Sequence, residues 1–129
     1  MKAFLSILLS IVFVTAYSQD INILLKEADN FEKQLKEPEA IDKYKQVLLV
    51  NPTQIKALVR LAELNTIIGN KQTDKNSKRL YYETALSFAN RAFLSDSTQA
   101  DALYAMAMSS GKMTDVEIEN KKKSLQSNT

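Results

Sequence analysis

Apolar residues recur three and four positions apart along most of this chain, which is the spacing of one face of an α-helix. The clearest stretch runs from Pro38 to Pro52. Pro38 suits a first helical turn, where its missing N–H would be unpaired, and Pro52 cannot continue a helix. A single amphipathic helix cannot bury its own apolar face, so this stretch predicts neighbouring helices. The apolar face consists of Ala40, Ile41, Tyr44, Val47 and Leu48.

The same spacing predicts about six helices in all after an N-terminal leader segment. Gly69 and Gly111 are predicted to end the third and fifth helices, because glycine readily adopts the left-handed conformation that follows a helix. The polar residues 70–77 are predicted to form a loop. Thr114 and Glu117 have the spacing of a capping box and are predicted to begin a sixth helix. The sequence therefore predicts an all-α fold of antiparallel helix hairpins.

An internal repeat with a period of 45 residues supports this interpretation. Residues 39–62 align with residues 84–107, and Thr53-Gln54 recurs as Thr98-Gln99. The recurring positions are Ala40 with Ala85, Ala57 with Ala102, Leu58 with Leu103, and Ala62 with Ala107. Because the small residues recur in register, both copies are expected to pack their helices closely.

Over nearly all of residues 19–129, and most closely in residues 21–54, the chain resembles the tetratricopeptide repeat family, whose unit is a hairpin of about 34 residues. That resemblance rests on Leu24, Ala28 and Phe31 in one helix, and on Ala40, Tyr44, Val47 and Pro52 in the next. It implies a short solenoid of stacked hairpins over residues 19–129, with units at about 21–54, 55–99 and 100–129 and an insertion near 70–80. Asn65 and Ser110 depart from the pattern, since they stand where that family has an aromatic residue. An unrelated helical bundle with alanine-rich seams is the alternative.

The first residues have the pattern of a signal peptide. Lys2 is followed by the apolar stretch Ala3–Tyr17, and Ala16 and Ser18 are small residues suited to cleavage after Ser18. Residues 1–18 are therefore predicted to be removed, and the protein to be exported to a periplasmic or extracellular location. The alternative is a membrane anchor through residues 3–19, which lies at the lower limit of the length that spans a bilayer.

Composition removes several kinds of chemistry from consideration. The chain has no His and no Cys, so it has neither an imidazole base nor a thiolate nucleophile, and it lacks the usual ligands of zinc. Ser109 and Lys112 match a serine–lysine spacing, but the companion motifs of such enzymes are missing. The 17 basic and 15 acidic residues give no overall charge that would favour nucleic acid. We therefore expect no catalytic residues, no cofactor and no metal.

These observations favour a non-enzymatic protein-interaction module that binds a peptide or protein partner on the concave face of stacked hairpins. A structural or accessory subunit of a larger cell-envelope assembly is the alternative. No nucleic-acid partner is expected, and a membrane is involved only if the leader is retained. Tyr104 and Met108 have a second interpretation, in which they pack beneath the sixth helix. The groove residues implied by the resemblance are Asp29, Lys56, Val59, Glu63, Asp101, Tyr104 and Met108.

Overall fold

Five α-helices make up the part of the chain that the computed structural model describes, residues 20–127, and this part contains no strand. The prediction of an all-α fold is confirmed, but the helix count of six is wrong. The helices are α1 (20–33), α2 (Glu37–Val50), α3 (Ile55–Lys71), α4 (Lys75–Ser95) and α5 (Ala100–Ser127).

The helices belong to two compact units, Met1–Pro52 and Thr53–Thr129. The predicted signal peptide (residues 1–18) and the alternative membrane anchor (residues 3–19) lie outside the described residues. Among the described residues, no helix has the length and apolar composition that crossing a membrane requires.

The first unit pairs α1 with α2 through the residues that the apolar spacing selects. All five apolar residues predicted for α2 are buried, and Ala28 of α1 is fully buried. Lys43 of α2 also forms an ion pair of 2.7 Å with Glu27 of α1. Leu35 continues the apolar spacing of α1. It is nevertheless 80% exposed and has a φ of 58°, because it occupies the left-handed position at the end of α1.

In the second unit, α3, α4 and α5 are joined by short links, so consecutive helices run antiparallel. The link between α3 and α4 is residues 72–74 only, although a loop was predicted over 70–77. The reason is a helix cap: the Asp74 carboxylate accepts a hydrogen bond of 2.8 Å from the Ser77 N–H, which lets α4 begin at Lys75. Hydrogen bonds from the backbone N–H and the side chain of Ser77 hold the pKa of the Asp74 carboxyl below its usual range.

Gly69 was predicted to end α3, but it lies within the helix and has no positive φ. A Cβ at this position would lie 2.7 and 2.8 Å from two ring carbons of Tyr82 on α4. Gly69 is therefore required by the close approach of two helices. On α4, the residues at helical spacing from Tyr82 are fully buried alanines, which allow the same close packing further along: Ala85, Ala89 and Ala92.

Gly111 also lies inside a helix, and this accounts for the missing sixth helix. The predicted fifth and sixth helices are one continuous helix, α5, of 28 residues. Thr114 does not act as a cap, because its hydroxyl donates to the Ser110 carbonyl as it does within a helix. An interior glycine costs only about 1 kcal/mol, so it does not by itself end a helix. Lys75 of α4 forms an ion pair of 2.7 Å with Glu119, beyond this glycine.

The two glycines should respond oppositely to replacement by alanine. Gly111→Ala should stabilise the protein by about 0.5–1 kcal/mol, because alanine favours the helix. Its Cβ meets no atom within 4 Å. Gly69→Ala should destabilise by about 1–3 kcal/mol, because its Cβ overlaps the Tyr82 ring. Urea denaturation of both variants measures the changes, and a shift of the same sign in both would contradict this account.

Candidate functional site

A cleft of about 420 Å³ lies where α3 and α5 begin. The two helices run in the same direction because each is antiparallel to α4, and this brings their first turns to the same end of the unit. The Gln54 side chain caps α3 by accepting a hydrogen bond of 2.9 Å from the Ala57 N–H. The lining residues are Ile55, Lys56, Val59, Arg60, Gln99 and Asp101.

The cleft combines an apolar surface with charges of both signs. Val59 is only 5% exposed, so it forms part of the packed wall, and Ile55 is half-buried. Lys56 and Arg60 lie one turn apart on α3, and the Asp101 carboxylate comes from α5. The Arg60 guanidinium donates to the Glu63 carboxylate, which orients the arginine along α3. Such a surface can bind an apolar side chain that has charged groups beside it.

Three of the seven predicted groove residues line this cleft together: Lys56, Val59 and Asp101. Glu63, Tyr104 and Met108 do not line it, but they follow these residues along the same faces of α3 and α5. Tyr104 is 60% exposed and Met108 is half-buried. The interpretation that Tyr104 packs beneath a separate sixth helix fails, because α5 is continuous and the ring is largely exposed.

Asp29, the remaining predicted groove residue, belongs to the first unit and has a different contact. The Tyr44 hydroxyl lies 2.7 Å from Asp29 Oδ1 and 2.6 Å from Glu32 Oε1. Burial raises the pKa of the Tyr44 phenol, and the hydrogen bonds and negative charges of Glu32 and Asp29 raise it further. Asp29 therefore helps to hold α1 against α2.

The remaining cleft residues were not among the predicted groove residues: Ile55, Arg60 and Gln99. A signal for Gln99 was present, because it repeats Gln54 at a distance of 45 residues and both precede the first residue of a helix. Ile55 and Arg60 carried no separate signal, since their place in the cleft depends on where the start of α5 lies. The described residues contain no group of three or more acidic, His or Cys side chains that could hold a metal ion.

A comparison with protein families gives a match over most of the chain. The profile of the RMD1-3 family, described as regulator of microtubule dynamics protein 1-3, matches residues 24–128. Searches of curated proteins and of solved structures found no significant match. The expected membership of the tetratricopeptide repeat family is therefore wrong. The helical pattern of small and large residues in the tetratricopeptide repeat is degenerate, so unrelated helical chains can match it. Asn65 and Ser110 of this chain do not fit that pattern.

Tyr44→Phe should destabilise the protein by about 1 kcal/mol at neutral pH, because it removes a buried hydroxyl that bonds to two carboxylates. The effect should shrink in alkali. Folding raises the pKa of Tyr44 above its ordinary 10.0, so the stability that the neutral phenol gives is present below pH 10 and is lost as pH rises further. Thermal unfolding of both proteins between pH 7 and pH 11 measures this. A difference that grows above pH 10 would contradict the assignment.

Proposed function

The chain belongs to the RMD1-3 family, and we propose that it is a non-enzymatic interaction module that binds a peptide or protein partner. The observation that carries this proposal is the cleft between the starts of α3 and α5. It joins residues from helices that are separated by 45 positions in the sequence, and it offers apolar and charged groups over a short distance. Ligand-binding pockets commonly combine an apolar lining with a few polar groups that fix orientation.

The partner that fits this cleft is a peptide segment with an apolar side chain between charged residues. Val59 and Ile55 would contact the apolar side chain, while Asp101 would attract a basic group and Lys56 an acidic one. Tyr104 follows Asp101 on α5 and is 60% exposed, so it would extend the contact along the helix. Tyrosine suits such a place because its ring is apolar and its hydroxyl can remain hydrated. The proposal assigns no role to nucleic acid.

We further propose that the hairpins stack in sequence as a short solenoid. The recurrence of helix ends supports this: α2 and α4 end 45 residues apart, at Val50 and Ser95, and α3 and α5 begin 45 residues apart, at Ile55 and Ala100. Within the second unit α3 contacts both α4 and α5, as expected when neighbouring helices stack.

The leader pattern supports a place of action outside the cytoplasm. We propose that residues 1–18 are removed and that the protein is exported to a periplasmic or extracellular site, with membrane anchoring through residues 3–19 as the alternative. In such a location the alternative to binding a free peptide or protein partner is a role as a structural or accessory subunit of a larger cell-envelope assembly. Intact mass of the protein isolated from its cells distinguishes cleavage from anchoring.

The family description supplies a separate candidate, the regulation of microtubule dynamics. Microtubules are cytoplasmic polymers, so this candidate requires that the protein is not exported. Co-sedimentation of the purified chain with polymerised tubulin tests it directly. Pelleting that depends on tubulin would favour this candidate and would count against export, whereas a chain that stays in the supernatant would remove it.

A photo-crosslinking residue in place of Tyr104 provides the main test of the cleft. It should form a covalent product with a partner in cells, and that partner, once purified, should bind the unmodified chain. Tyr104→Ala and Asp101→Lys should then weaken the measured affinity by about tenfold or more, which corresponds to 1.4 kcal/mol. Because Tyr104 is largely exposed, its removal should leave the melting temperature nearly unchanged.

Leu80→Ala is the matched control for this test. Leu80 is 62% exposed on α4, close to the exposure of Tyr104, but it neither lines the cleft nor belongs to the face of α5 that continues from Asp101 to Tyr104. An equal loss of affinity in Leu80→Ala and Tyr104→Ala would place the binding surface elsewhere. A large fall in melting temperature for Tyr104→Ala would show that the ring supports the fold rather than the partner.

A further inference from the structure

The internal repeat makes α3 and α5 equivalent helices in the structure. Gln54 and Gln99 precede them, and their carbonyls accept hydrogen bonds of 3.1 Å from the N–H groups of Leu58 and Leu103. The backbone therefore enters both helices in the same way. A face of α3 can be compared with the face of α5 that lies 45 positions later.

One face of α3 is covered by α4. Gly69 touches the Tyr82 ring, and Leu58, Ala62 and Asn65 share the face of Gly69 by their spacing. These three residues are at most 5% exposed. The side of α4 that meets them carries Tyr82 and, at helical spacing from it, three fully buried alanines: Ala85, Ala89 and Ala92.

Within residues 20–127, no helix covers the equivalent face of α5 in this way. Leu103 stands at the position of Leu58 but is 48% exposed, and Ala107 and Thr114 are exposed where Ala62 and Gly69 are buried. The face continues to Ile118, which is 61% exposed. We call the residues Leu103, Ala107, Ser110, Thr114 and Ile118 the open face of α5.

A groove borders this open face. A shallow cleft of about 400 Å³ runs between α4 and α5, with Leu86 and Met106 as its apolar residues and Ser110 as the residue that it shares with the open face. Met106 is the equivalent of Leu61, which is fully buried in α3. The apolar surface therefore continues from the open face to Leu86 and Met106.

We propose that the open face of α5 binds a helix of a partner protein, and that this helix carries small residues at positions i, i+4 and i+7. The occupant follows from the same molecule: α4 covers the equivalent face of α3 with alanines at this spacing, Ala85, Ala89 and Ala92. Small residues are needed because Leu103 and Ala107 repeat the pattern that α3 uses for a close approach. The open face shares no residue with the cleft at the starts of α3 and α5.

The partner helix can approach the open face most closely around Ala107 and less closely towards the C-terminus of α5. Thr114 stands where α3 has Gly69, so an aromatic ring cannot approach α5 there as Tyr82 approaches α3. The partner helix therefore needs a smaller residue than tyrosine at that end. Leu103, at the opposite end, is the large apolar residue that the open face offers in the first turns of α5.

A helical peptide with the sequence of residues 75–95 is a direct probe, because it carries the alanine pattern of α4. A hydrocarbon staple between positions 87 and 91, which are exposed in α4, keeps it helical without touching the alanines. It should bind the full chain, and its amide chemical-shift changes should fall on residues 103–118. Ala107→Glu in the chain should weaken binding by about tenfold, while Asn120→Glu should change it by less than about twofold.

Asn120 serves as the control because it is exposed on α5 but lies off the open face. Since Ala107 is also exposed, both variants should keep the melting temperature of the parent, and this verifies that they fold. A second peptide with Ala89→Leu should bind more weakly, because leucine prevents the close approach. The proposal is overturned if the stapled peptide does not bind, if both chain variants lose binding equally, or if the shifts fall on α3, which would mean exchange with α4.

Discussion

The close approach of α3 and α4 is the constraint on which the second unit depends. It needs the absence of a side chain at Gly69, because the Tyr82 ring occupies the space where a Cβ would lie. The ring is fixed there by its hydroxyl, which donates a hydrogen bond of 2.7 Å to Asn70 Oδ1, next to the glycine. Burial raises the pKa of the Tyr82 phenol, and the negative charge of Asp115 raises it further, which favours the protonated form that donates this hydrogen bond. Along the rest of the contact, buried alanines maintain the same short distance.

That contact also determines where the binding surfaces lie. With α4 packed antiparallel to both neighbours through short links, α3 and α5 must run in the same direction. Their first turns then meet and form the cleft that contains Lys56, Val59 and Asp101. The same arrangement covers one face of α3 and leaves the corresponding face of α5 exposed. A change at Gly69 would therefore affect both surfaces, although no residue of either is near it in sequence.

Apolar spacing was sufficient to predict many of the buried helical residues, but not Leu103 and Ala107, which repeat buried positions of α3 and are exposed. All five residues predicted for α2, together with Ala57, Ala85 and Ala102, are buried. It was not sufficient to predict the role of glycine. Gly69 and Gly111 were both interpreted as helix ends, but glycine is also used for close contact and is tolerated within a helix. Only the position of Tyr82 distinguishes these cases, and that position depends on tertiary packing. Leu35 shows the reverse: a leucine adopts the left-handed position at which glycine would be expected.

The residues of the candidate site could also be predicted only in part from the sequence. Periodicity placed Lys56 and Asp101 on equivalent faces, but it could not tell that Asp29 would instead accept a hydrogen bond from Tyr44, which is 15 residues away. A carboxylate on a helix surface has the same pattern in both roles. The two roles differ in whether a buried hydrogen-bond donor on the neighbouring helix lies opposite the carboxylate. In the second copy of the repeat, the residue equivalent to Tyr44 is Ala89, which has no hydroxyl to donate. The second copy thus keeps the small residues that bring helices together but lacks the polar contact that ties α1 to α2. Its outer helix, α5, carries the apolar pattern of a covered helix without the cover, and this difference between the copies is the strongest physical reason to expect a helical partner there.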